Sequence, residues 1–96
     1  MKGKKDAIDL CWAASEGDLM AISSMAAKEV LLDQADYYGR TPLHLAASNG
    51  HLEVVTYLIS KNVKVNQVDD WGNTALEDAI REGHDTIIKY LKAAIF

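Results

Sequence analysis

Arg40-Thr41-Pro42-Leu43-His44-Leu45-Ala46-Ala47-Ser48-Asn49-Gly50-His51 carries the signals needed to start, face and stop one short helix. The Thr41 hydroxyl suits an N-cap, accepting from an otherwise orphaned backbone N–H. Pro42 follows at the first helical position, where a missing N–H costs nothing. Leu43, Ala46 and Ala47 share one face at i, i+3, i+4, and Gly50 supplies the left-handed residue that ends the helix. Val54, Val55 and Leu58 repeat the spacing at once, which predicts a second helix packed on the first.

Outward from this stretch the chain repeats itself. Gly17, Gly50 and Gly83 stand 33 residues apart, and Gly39 and Gly72 keep the same interval. Leu10, Leu43 and Leu76 recur in step, followed by Ala13, Ala46 and Ala79. The second helix recurs through Ile22, Val55 and Ile88, then Met25, Leu58 and Leu91. A period of 33 with Thr-Pro-Leu-His, a Gly-His and a following apolar helix resembles the ankyrin repeat family nearly residue for residue in the middle repeat. The resemblance covers essentially the whole chain. It implies an all-α solenoid of three helix-turn-helix repeats, at about 6–38, 39–71 and 72–96 of a single 1–96 domain, with short hairpin-like finger loops.

The outer repeats depart from the middle one. In the first, Asp6 stands where Gly39 and Gly72 stand later, and Ile8-Asp9-Leu10-Cys11 replaces Thr-Pro-Leu-His. That repeat reads as an N-terminal cap, with helices expected over Asp9–Glu16 and, after Asp18 as N-cap, Leu19–Lys28. Glu29 holds a place where most ankyrin repeats have glycine; a left-handed glutamate is unfavourable, so a remodelled turn is expected. Asn62 at the equivalent place tolerates that conformation. In the third repeat Glu77 and Asp78 replace His and Leu, as expected of an unburied outer face, and helices are predicted over Ala75–Glu82 and Asp85–Ala93. Ile95 and Phe96 either fold back over the last helix pair or mark a chain cut from something longer.

Composition narrows the functional classes. The 96 residues carry a net charge of −4, which opposes nucleic-acid binding, a process driven by Lys and Arg against phosphate. No apolar run approaches the ~18 residues needed to span a bilayer, so no membrane insertion is expected. Met1-Lys2-Gly3-Lys4-Lys5 leads into Asp6 rather than into a signal core. The lone Cys11 forms no internal disulfide and fits a reducing, intracellular and cytoplasmic setting.

Catalytic, metal and cofactor sites are not expected. His51 and His84 hold one repeat position, so they lie a repeat apart instead of converging. For these and His44 the expected role is a hydrogen bond steadying a turn or the adjacent finger. Glu77 and Asp78 are neighbours in sequence and cannot face one another across a substrate, and Cys11 reads as a small core residue.

Recognition is the function left open. Ankyrin proteins usually bind protein partners through fingertips and the exposed side of the first helices. Carried over by position, those are Tyr37, Tyr38, Arg40, Ser48 and Asn49, then Asp70, Trp71, Asn73, Arg81 and Glu82. Packing residues recur at interval 33, whereas Tyr37/Asp70, Arg40/Asn73 and Ser48/Arg81 differ between repeats and are free for recognition. Tyr38 and Trp71 are also expected to pack finger on finger.

A narrower pattern, Gly17-Asp18, Asp33-Gln34, Asp36-Tyr37, Arg40-Thr41, Lys64-Val65-Asn66, Asp70-Trp71, Asn73-Thr74 and Gly83-His84, is similar to the short C-terminal ankyrin domain of glutaminases. That resemblance implies a regulatory or assembly appendage docking on a companion domain, mitochondrial in some settings. The Ser-x-x-Lys nucleophile of glutaminases is absent, since no serine here has a lysine three residues on.

Overall fold

The computed structural model describes residues 4–95. Among them six helices follow the chain: α1 Lys5–Glu16, α2 Leu19–Ala27, α3 Pro42–Ser48, α4 Leu52–Ser60, α5 Ala75–Glu82 and α6 Asp85–Ile95. Each helix pair is an antiparallel hairpin, and the pairs stack in chain order into two layers, with α1, α3 and α5 in one and α2, α4 and α6 in the other.

Side-chain size bends the stack. Between the first-layer helices lie Ala13, Ala14, Ala46, Ala47 and Ala79, all buried, whereas the second layer buries Ile22, Val55, Leu58, Ile87 and Leu91. Small residues let helix axes approach, and branched aliphatics hold them apart. The first layer therefore packs more closely, and the stack curves towards it. That layer and the two fingers form the inner face.

The helix ends follow their caps. Asp18 Oδ1 accepts from Ala21 N at 3.1 Å at the start of α2. Thr41 and Thr74 each form a capping box with the residue three further on, His44 and Glu77. Glu77 thus keeps the capping role of the histidine it replaces: its Oε1 accepts from Thr74 N at 2.9 Å.

Three local expectations need correction. First, α1 starts at Lys5, a turn before Asp9, because Ala7 is buried and Asp6 suits the positive helix start. Second, α6 runs on through Ile95, so Ile95 extends the helix and does not fold back; Phe96 lies outside the described residues. Third, Glu29 is not remodelled. Its φ is 63°, beside 62° at Asn62. Val30 N and Val63 N bond back to Met25 O and Leu58 O in the same way at the two sites. Repeat packing imposes a left-handed glutamate at a cost of roughly 1–2 kcal/mol.

Candidate partner-binding face

The fingers are built from their aspartates. Asp36 Oδ1 accepts from Tyr38 N at 2.8 Å and Arg40 N at 3.0 Å, and Asp69 Oδ1 accepts from Trp71 N at 3.0 Å and Asn73 N at 2.9 Å. A carboxylate bonding amides two and four residues on closes the loop without a β-ladder. Gly39 and Gly72, at φ 75° and 80°, complete the turns. The fingers also join one another, through Asp70 N to Tyr38 O at 2.9 Å.

One side chain from a first-layer helix then ties each finger to the helices. His44 Nδ1 accepts from Thr41 N at 3.1 Å, which makes Nε2 the protonated nitrogen that donates to Asn73 O at 2.8 Å. One repeat earlier, Cys11 Sγ occupies the same station and reaches Arg40 O at 3.4 Å. Burial, with Asp36 nearby, pushes the Cys11 thiol up to about 12, so it stays protonated and unreactive at neutral pH. His51 and His84 span the repeats differently, donating from Nε2 to Ser15 O and Ser48 O, both at 2.9 Å.

Two adjoining hollows open on the inner face. One, of about 320 Å³, lies between α3, α5 and the second finger, and Arg40, Ser48, Trp71, Asn73 and Arg81 all line it. The structure thus brings together five residues assigned from sequence. Tyr38 stacks against Trp71 with ring centroids 5.8 Å apart, yet the two rings remain 54% and 65% exposed. Finger packing uses one edge of each and leaves the rest to solvent. Tyr37 and Asp70 stand exposed at the two fingertips. Asn49 and Glu82 close the ends of α3 and α5, where Asn49 Nδ2 donates to Leu45 O at 2.9 Å and Glu82 Oε2 accepts from Arg81 Nε at 3.1 Å.

Arg40 belongs to both hollows. Its guanidinium sits 5.5 Å over the Tyr38 ring, and its Nε lies 3.4 Å from Asp36 Oδ2 without forming a hydrogen bond. The second hollow, of about 280 Å³, is lined by Ile8, Trp12, Ser15 and Leu45 together with Arg40. Sequence reasoning missed Trp12, although it is 70% exposed there. The signal was present: positions 12, 45 and 78 hold Trp, Leu and Asp, so packing does not dictate them.

Asp78 contradicts the expectation of an unburied face. It is only 4% exposed, turned into the first hollow, and accepts from Arg81 Nη1 at 2.9 Å. Burial raises its pKa above the ordinary carboxylate value, against the opposing pull of Arg81. Asp78, Asp69 and His44 offer ligand atoms within 4.8 Å of one another, a grouping that the sequence separation hides. Within it both His44 nitrogens are bonded, Asp69 Oδ1 holds the finger amides, and Asp78 Oδ1 holds Arg81. Of the three, His44 is the one that braces finger against helix, through Asn73 O.

Comparison with family models places the chain. Residues 10–95 match the model for ankyrin repeats in three copies. The protein belongs to the ankyrin repeat family, whose members generally serve as protein-interaction modules. A comparison with curated proteins returns no match. No described helix is long and apolar enough to cross a membrane.

Proposed function

We propose that this chain is a non-enzymatic binding module that takes a protein partner across its inner face, with Tyr37, Tyr38 and Arg40 of the first finger as the central contact. The carrying observation is that Arg40 lines both hollows while Tyr37, Tyr38 and Trp71 stand more than half exposed around it. Aromatic and arginine side chains dominate interface energetics because they bring large rigid area and forked donors. In this reading Tyr37 supplies the apolar anchor and Arg40 the hydrogen bonds.

The test begins with capture of partners by the isolated chain and their identification by mass spectrometry. Affinity and melting temperature are then measured on the Tyr37→Ala/Arg40→Ala double variant. Binding should weaken by ~2 kcal/mol or more, and stability should change by only about 0.5 kcal/mol. Unchanged affinity in a folded double variant moves the contact to the second helix layer.

A second reading rests on the resemblance of the residue pattern to the short ankyrin domain of glutaminases. It makes the module a C-terminal regulatory or assembly domain of such an amidohydrolase, with the catalytic domain as its partner. Binding to an isolated glutaminase catalytic domain, or its absence, decides between the two. The first reading goes with a reducing cytoplasmic setting, the second with a mitochondrial one.

A further inference from the structure

Charge is divided unevenly between the layers. The first helices and fingers, residues 4–16, 32–48 and 65–82, hold ten acidic side chains against four basic ones, while the rest of the described chain holds four against five. The four aromatic residues that stand more than half exposed, Trp12, Tyr37, Tyr38 and Trp71, all belong to the acidic side.

Two of those rings already attract a cation from the protein itself. Lys4 Nζ lies 5.9 Å from the Tyr37 ring and the Arg40 guanidinium 5.5 Å from the Tyr38 ring. Trp12 and Trp71 have no such cation among the described residues, although indole is the strongest of the aromatic cation binders. Each stands beside carboxylates. Glu16 follows Trp12 by one helical turn and has no ion-pair partner among the described residues. Trp71 shares its hollow with Asp69 and Asp78. Arg40 and Arg81 line it too, but Arg81 already spans Asp78 at 2.9 Å and Glu82 at 3.1 Å and Arg40 lies 3.4 Å from Asp36, so with Asp69 the two arginines face four carboxylates.

From this we infer that the inner face takes a basic partner segment, with one Lys or Arg laid on Trp12 and a second on Trp71. This rests on the binding-module reading above. A long aliphatic stem fits the apolar hollow of Ile8, Trp12 and Leu45, and its charged head reaches outward to the carboxylates. The hollows lie one repeat apart, on the order of 10 Å, so the two basic side chains stand roughly three residues apart in an extended chain. The acidic field around them speeds approach of such a segment and repels acidic competitors.

The test is selection of short random peptides, displayed on phage, against the immobilised chain. The expected pool is enriched in Lys and Arg and depleted in Asp and Glu. Selected peptides should lose about tenfold or more in affinity on Trp12→Ala or Trp71→Ala, and should weaken as salt is raised. Trp12→Ala should melt like the parent, and Trp71→Ala, which also loses its ring contact with Tyr38, only slightly lower. Glu16→Lys combined with Glu82→Lys, also at exposed sites, should turn the pool towards acidic peptides. Neutral or acidic peptides that still need Trp12 and Trp71 overturn the charge assignment and leave the binding-module reading standing. Basic peptides indifferent to both tryptophans overturn the site. A selection without enrichment overturns the inference, and the captured-partner measurement on the Tyr37 and Arg40 variant then judges the broader reading independently.

Discussion

Gly50 and Gly83 hold the same place in consecutive repeats, with φ of 79° and 75°, yet their surroundings are opposite. A Cβ at Gly50 would meet His84 Cε1 at 2.8 Å, and one at Gly83 would meet nothing within 4 Å. The contrast extends along the helices they end. Ala47 is fully buried while its counterpart Ile80 is 52% exposed. His44 is buried while its counterpart Glu77 is exposed. At these positions the following repeat confers the burial, whereas Ala79, Ile87 and Leu91 are buried by their own helix pair and the repeat before it.

The sharpest way to break that comparison is to remove the neighbour. Deleting Asp70–Phe96 strips α5 and α6 from the middle repeat and leaves too few repeats to bury a continuous core. The remainder should unfold, and cooperative native-like helix by circular dichroism would count against shared burial. Single substitutions grade the same effect. Leu43→Ala, at a site 2% exposed, should cost about 2–5 kcal/mol. Leu76→Ala, at the half-buried equivalent, should cost about 1 kcal/mol, since less area is lost from contact. Equal losses in urea unfolding would mean that the end repeat is packed as fully as the middle.

Gly50→Ala and Gly83→Ala sharpen the comparison at one atom. Both place a Cβ on a left-handed residue, at roughly 1 kcal/mol. Only Gly50→Ala also displaces the His84 ring and endangers its bond to Ser48 O at 2.9 Å, which adds about 1 kcal/mol. Thermal unfolding of the two variants should therefore separate by several degrees, with Gly50→Ala the lower.

Sequence revealed most where each repeat carries its own instructions. Thr41 with Pro42, Asp18, and the finger pairs Asp36/Gly39 and Asp69/Gly72 act within a few residues, so the period of 33 and the local caps lead directly to the helices and fingers. What lay hidden depends on neighbours. Glu29 is held left-handed against its own preference because the repeat around it fixes the turn. Trp12 escapes a linear reading because its repeat departs from the consensus, and its exposure on the inner hollow appears only in the fold. Asp78 reads as an outer-surface residue because nothing in the linear order shows that His44 and Asp69, 34 and 9 residues earlier, fold over it.

Asp78 also provides an effect of the same small size, and among these variants the only one expected to favour stability. The middle repeat places Leu45 where the last places Asp78, so Asp78→Leu restores the repeat's own choice in a site only 4% exposed. No buried charge is orphaned, because the Arg81 side chain is 51% exposed and keeps Glu82 at 3.1 Å. The pair itself contributes little, since half of it is solvated, whereas the buried carboxylate costs desolvation. Asp78→Leu should stabilise the fold by about 1 kcal/mol at neutral pH. The pH dependence identifies the cause. Asp78 has its pKa raised in the folded protein, so the folded state binds this proton more readily than the unfolded chain. Its unfavourable contribution at neutral pH is therefore relieved as pH falls through the raised value towards the ordinary carboxylate one. The advantage of Asp78→Leu should be greatest at neutral pH and shrink on acidification, measured by urea unfolding across that window. An advantage that does not change with pH would assign the gain to apolar contact in the hollow instead of to the lost charge.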